Sequence, residues 1–112
     1  MARRGELGEF EQLVLLATLR LGDKAYAPEI ARVLEERAGR EMSRGTLYAA
    51  LERLETKGMI WSYADAPTSA RSGSRRRRFE VTASGSRALA SSRRILIDMW
   101  KGVAHLLPGG GG

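Results

Sequence analysis

Apolar positions along the chain fall into three helical stretches, an alternating pair of short runs, and a final long helical stretch. From Gly8 to Leu21, Phe10, Leu13, Val14, Leu16, Ala17 and Leu21 form a wide apolar face with Glu9, Glu11, Gln12 and Arg20 outside it, which predicts an amphipathic helix. Glu6 and Glu9 sit at its first turn, where negative charge suits the helix dipole, and Gly22-Asp23 ends it. Pro28 fits the first turn of a second helix, because its fixed φ is helical and no N–H is needed there. Ile30, Ala31, Val33 and Leu34 supply its inward stripe, Glu29, Arg32, Glu35, Glu36 and Arg37 its solvated side, and Gly39 its stop. Only Arg40, Glu41 and Met42 separate it from Ser43.

Ser43 to Gly58 reads as one helix with its own start and stop. Ser43 caps the first free N–H groups, and Gly58 supplies the left-handed residue after the last turn. Leu47, Ala50, Leu51 and Leu54 make a stripe that must face a core. The opposite side carries Gly45, Ala49, Glu52, Arg53 and Thr56, with Tyr48 and Thr46 on the flanks. Small residues ringed by hydroxyls and arginines suit a helix that seats in a groove and bonds bases and phosphates. An ordinary surface helix interrupted by Gly45 is the alternative. Two short helices, a tight connection and a groove-fitting helix follow the helix-turn-helix order.

After Gly58 the period shortens to about two residues. Met59 to Ala64 is rich in strand formers, Asp65 to Ser74 reads as a loop, and Arg77, Phe79 and Val81 alternate with Arg78, Glu80 and Thr82 as a second strand. A strand, a basic loop and a strand make a wing. Thr82 can cap a last helix predicted from Ala83 to about Leu107 and stopped by Pro108. Leu89, Ser92, Leu96, Met99, Val103 and Leu106 lie on a heptad seam, broadened by Ile95, Trp100 and Leu107. A helix of about 25 residues is roughly 37 Å long, more than three short helices and a hairpin can cover, so a second copy is the simplest partner. The predicted fold class is mainly α with a small β-hairpin (α+β). A winged helix-turn-helix occupies residues 1–82, a C-terminal dimerisation helix 83–107, and a flexible tail 108–112.

Length and composition narrow this further. The chain has 112 residues, enough for one domain with a modest core that dimerisation would help. It has no cysteine, which excludes disulfides and Cys-based metal sites, and neither a run of 18 apolar residues nor a secretory signal, so a cytoplasmic location is expected. The net charge is +6, and five arginines (Arg71 and Arg75 to Arg78) lie within eight residues that hold no acid, leaving only +1 elsewhere. The basicity is a local patch aimed at a polyanion. One histidine, His105, with no metal-ligand cluster, paired-carboxylate constellation or Gly-rich phosphate loop, argues against an enzyme; no metal and no cofactor are expected.

In Leu13 to Leu16, Tyr26 with Glu29-Ile30, Gly45-Thr46-Leu47-Tyr48, Leu51 with Arg53-Leu54-Glu55, Lys57-Gly58, Arg75 to Arg78 before Phe79, and Thr82 with Gly85, the chain resembles the PadR family of bacterial transcriptional regulators in its short form. It departs where Ala27 replaces a frequent Gly, Ala49 a frequent Pro, and Phe79 one of a Tyr pair. The resemblance implies a winged helix-turn-helix dimerised through its last helix with help from the first. It also implies repression at a roughly palindromic operator, often with release by small aromatic molecules.

Candidate DNA-binding residues are therefore Ser43, Arg44, Gly45, Thr46, Tyr48, Ala49 and Arg53 in the third helix and Arg75, Arg76, Arg77 and Arg78 in the wing. Ser43 could equally be only a cap, and Tyr48 half-buried packing. Phe10, Leu13, Leu89, Leu96, Met99, Trp100, Val103 and Leu106 are the candidate dimer interface. Trp100, with Leu96, is the candidate effector pocket, since two symmetry-related indoles could bracket a flat ligand; a packing anchor is the plainer alternative. Double-stranded DNA, a second copy and a small aromatic ligand are the expected partners. A winged-helix interaction module gripping an acidic protein, or an RNA binder, would use the same arginine loop.

Overall fold

The computed structural model describes residues 7–65 and 76–108. Helix α1 (Glu9–Leu21) leads through a 3-10 turn (Gly22–Lys24) into α2 (Ala27–Ala38) and α3 (Arg44–Thr56). A hairpin follows, β1 (Ile60–Ala64) paired antiparallel with β2 (Arg77–Val81) in the register Ile60 to Val81 and Ala64 to Arg77. Helix α4 (Ala83–Trp100) and a 3-10 turn (Ala104–Leu106) close the chain. The result is a winged-helix arrangement of the predicted α+β class.

Local signals act where they were read. The Ser43 side chain accepts from the Thr46 N–H, and the Thr82 hydroxyl accepts from the Gly85 N–H while donating to the Gly58 carbonyl at 2.7 Å. Thr82 thus starts α4 and fastens that start to the end of α3. Gly39 (φ 63°) and Gly58 (φ 75°) hold the left-handed conformations that turn the chain after α2 and α3. Leu47, Ala50, Leu51 and Leu54 of α3 are all buried against Val14, Leu15, Ile30, Leu34, Ile60 and Phe79. The sheet gains a third contact: Tyr26 makes an isolated bridge to Arg78, and the Phe79 N–H donates to the Ala25 carbonyl at 2.9 Å. That contact pins the wing to the entry of α2.

Three expectations are corrected. In α1, Leu15 is fully buried and Leu16 is 45% exposed, although the pattern placed Leu16 inward. Glu11, expected outside, is 6% exposed at the centre of the inward face. Apolar residues occupy most of the α1 surface, so periodicity alone does not say which side α2 and α3 cover. The last helix is the third correction. It ends at Trp100 rather than near Leu107, because Lys101 leaves helical geometry and Gly102 takes a left-handed φ of 74°. Val103 and Leu106 therefore lie beyond the helix that was to carry their seam. At its start α4 packs closely through Gly85, Ala88 and Leu89, whereas Ile95, Leu96, Ile97, Met99 and Trp100 are between 44% and 68% exposed.

Candidate nucleic-acid interface

The exposed side of α3 begins at its cap. Ser43 Oγ lies 3.1 Å from the Thr46 nitrogen and 3.0 Å from Thr46 Oγ1, so both hydroxyls are engaged in starting the helix. Arg44, Gly45, Thr46, Tyr48, Ala49, Glu52 and Arg53 are all exposed. Gly45 and Ala49 leave a shallow floor with no side chain beyond a methyl group. Tyr48, 44% exposed, stands at one edge of it. A cleft between this edge and the wing is lined by Gly45, Tyr48, Ala49, Glu52, Glu55 and Arg77.

The wing is tied to α3 and to α2 by separate sets of bonds. On the α3 side, Ser62 Oγ donates to Glu55 Oε2 at 2.9 Å and accepts from Arg77 at 2.7 Å. On the α2 side, Arg76 pairs with Glu29 at 2.9 Å and stacks 3.8 Å above the Tyr26 ring. The Tyr26 hydroxyl donates to Asp65, and that bond is the main reason its pKa lies above the usual phenol value. Arg78 donates to the Asp23 carbonyl at 3.0 Å, lies 3.6 Å from Asp65 and sits over the Tyr63 ring. Trp61 packs on Tyr63 and donates to Glu80, as wing packing requires.

The predicted arginine run thus divides by strand alternation. Arg77 stays exposed on the α3 side, whereas Arg76 and Arg78 bond the body of the domain, Arg78 being the more enclosed. Arg75 and Arg71, with most of the loop between the strands, lie outside the described residues, as do residues 109–112 of the tail. The partners of Asp23, Asp65 and Glu11 were not legible in the sequence, since each lies far away along the chain.

On the flank of α3 away from the wing, Arg53 is held from behind. Its Nε lies 3.5 Å from Glu11 Oε2, and Lys57 Nζ lies 2.8 Å from Glu11 Oε1. Burial pushes the Glu11 carboxyl up, but hydrogen bonds from Lys57 and the Gly8 N–H, with the charges of Lys57 and Arg53, outweigh it and hold the group below the ordinary carboxylate range.

The candidate interface residues of α1 and α4 are not equivalent. Phe10 and Leu13 are partly buried against the core and Leu89 is 8% exposed within it, so these three already serve the single chain. Leu96, Met99, Trp100, Val103 and Leu106 are open. A cleft of about 490 Å³ runs between the helices, walled by Leu16 and Leu19 of α1 and by Leu89, Arg93, Leu96 and Trp100 of α4. Among the described residues no cluster of His, Cys, Asp and Glu could hold a metal ion.

A sequence profile of the transcriptional regulator PadR-like family matches residues 15–91. No curated protein matches the sequence. Among solved structures, the chain is similar to a PadR family transcription regulator from hypervirulent Clostridium difficile at 28% identity and a TM-score of 0.70, over 88% of this chain and 99% of that one. It is similar to a PadR family transcriptional regulator from Eggerthella lenta at 26% identity and 0.65, over 88% and 85%. The S. aureus MepR–DNA complex shares the fold at 19% identity and 0.66, over 91% and 67%.

Proposed function

The chain belongs to the PadR-like family of transcriptional regulators, and we propose that it acts as a homodimeric repressor that binds a pseudo-palindromic DNA operator and is released by a small aromatic effector. Its family consists of transcription regulators, not enzymes.

The observation that carries the DNA reading is the outer face of α3. Gly45 and Ala49 leave room for the helix to approach base edges, while Arg44, Thr46 and Tyr48 surround that floor with donors. Arg77, exposed on the α3 side of the wing, offers phosphate a contact beside it. The two PadR structures compared above, at 28% and 26% identity, are regulators by name, and a complex of the same fold holds DNA. An interaction module gripping an acidic protein has no use for so bare a helix face.

The dimer reading rests on the open apolar end of α4. Ile95, Leu96, Ile97, Met99 and Trp100 form a patch that a monomer would leave in water. Pairing two such helices around a two-fold axis would match a palindromic operator with half-sites one helical turn apart, about 34–36 Å. The cleft beside Trp100 and Leu96 has apolar walls and an aromatic face, which suits a flat ligand. The setting for all of this is the cytoplasm; among the described residues no helix is long and apolar enough to cross a membrane.

The test is fluorescence anisotropy of the purified protein on DNA upstream of its own gene against scrambled duplex, at two salt concentrations. Tight, sequence-preferring binding that saturates at one dimer per site is expected. Sequence-blind binding that vanishes with salt would return the protein to the polyanion-grip or RNA readings. The effector arm is read by quenching of Trp100 fluorescence with planar aromatics in a Trp61→Phe background; absence of quenching there removes that arm.

A further inference from the structure

The buried carboxylate of Glu11 is the one acid on the inward face of α1. Its neighbours on that face are Val14, Leu15 and Thr18, all buried, and the Thr18 hydroxyl is satisfied by the Val14 carbonyl at 2.8 Å. Burying a carboxylate is costly unless its oxygens are bonded. Here Oε1 accepts from the Gly8 N–H at 3.1 Å and from Lys57 at 2.8 Å, and Oε2 faces Arg53 Nε at 3.5 Å. Gly8 and Lys57 between them already serve Oε1. Of the two cations on Glu11, Arg53 is the more exposed, with 55% of its side chain accessible against 30% for Lys57.

The geometry of that contact is selective. Glu11 touches the inner nitrogen of Arg53, Nε, while the Arg53 side chain is 55% exposed. Among the described residues Arg53 has no second carboxylate partner, and more than half of its side chain is exposed. On α3, Arg53 is seven residues after Thr46, hence about 20° from it around the axis, on the flank opposite Tyr48 and the wing cleft. A duplex seated on Gly45 and Ala49 therefore has Arg77 along one edge and Arg53 along the other. Arginine recognises phosphate through a planar fork, and the fork is effective only when its plane is fixed.

We infer that Glu11 is a positioning residue for operator binding: from inside the core it holds Arg53 by Nε, so that the two terminal nitrogens present a fixed fork to a backbone phosphate on the edge of the groove away from the wing. This rests on the DNA-binding reading above. It gives a buried residue of α1 a role in recognition through α3, in addition to its bonds to Gly8 and Lys57.

Anisotropy titrations on the footprinted operator test it with Glu11→Gln, Arg53→Ala and the double variant, each at several salt concentrations. Arg53→Ala is expected to weaken binding about tenfold, the scale of a charged hydrogen bond, and to flatten the salt slope. Glu11→Gln should reproduce most of both effects, and the double variant should bind no worse than Arg53→Ala alone. A Glu11→Gln protein that keeps wild-type affinity and slope overturns the inference. So does a Glu11→Gln penalty that persists in full when Arg53 is already alanine, because that penalty comes from a damaged fold. Should Glu11→Gln fail to melt cooperatively, Arg53→Lys decides: it keeps the charge but has no Nε to hold, so a loss close to that of Arg53→Ala supports the fork and wild-type affinity overturns it. Wild-type protein that does not prefer its operator removes the DNA reading itself, and the inference with it. A normal operator preference with silent Glu11 variants removes only the positioning role.

Discussion

Gly85→Ala probes the contact that joins α4 to the wing. Gly85 is the third residue of α4, and a Cβ placed there would lie 2.2 Å from the Met59 carbonyl oxygen and 2.9 Å from Val81 Cγ1. A carbon resting against a carbonyl oxygen needs roughly 3.3 Å, so helix and strand must part by about 1 Å. Met59 is not free to yield, since its carbonyl accepts the Thr82 N–H at 3.0 Å and that bond fixes the start of α4. Overpacking of this kind costs about 1–3 kcal/mol, and the strained hydrogen bond adds about 1 kcal/mol. Alanine returns at most about 1 kcal/mol through its better helix propensity. The balance is a loss of roughly 1–3 kcal/mol, or about 4–12 °C in Tm for a domain of this size. Circular dichroism melts at matched protein concentration measure it, with Ala90→Gly as a control on the exposed side of the same helix. A Gly85→Ala protein that melts at or above the wild-type temperature would show that propensity outweighs the contact, and the close approach of α4 to the wing would be refuted.

Ala49→Glu should abolish operator binding, because it fills and charges the floor of the α3 face; Ala49 is exposed, so the melt should be unchanged, and normal binding would sink the groove assignment. Arg77→Ala should weaken operator and scrambled duplex alike and reduce the salt slope by about one per protomer, whereas Arg78→Ala, which removes bonds to Asp23 and Asp65, should lower the Tm as well; the two are separated by pairing salt titrations with melts. Leu96→Glu is expected to yield monomers in sedimentation velocity while leaving helix content intact, since Leu96 is 50% exposed in the single chain; an unshifted dimer would move the interface elsewhere. Glu11 titrates below its ordinary range when folded, so its stabilisation is complete above the unfolded-state value and is lost as pH falls through the lowered one; Glu11→Gln should make acid unfolding shallower in that window, and an unchanged acid limb would contradict the Lys57 and Gly8 bonds.

The sequence by itself determined whatever depends on neighbours a few residues apart. Ser43 and Thr82 cap, Gly39 and Gly58 turn, and the Leu47–Leu54 stripe faces inward, because capping, left-handed φ and 3.6-residue periodicity are local properties. The exposed Gly45/Ala49 face and the basic wing were legible for the same reason. Tertiary structure alone decided which part of the broad apolar surface of α1 is covered, and so exchanged Leu15 for Leu16 and drew Glu11 inside. It divided the arginine run as well: Arg76 and Arg78 find Glu29, Asp65 and the Asp23 carbonyl only after the hairpin has closed onto α2. The heptad seam stops at Trp100, where Lys101 leaves helical geometry and Gly102 takes a left-handed φ, a break that a pattern of apolar residues alone does not register. A buried charge must find its partners wherever the fold brings them. Glu11 meets Arg53 and Lys57 from more than forty residues away, a separation over which no local pattern carries information.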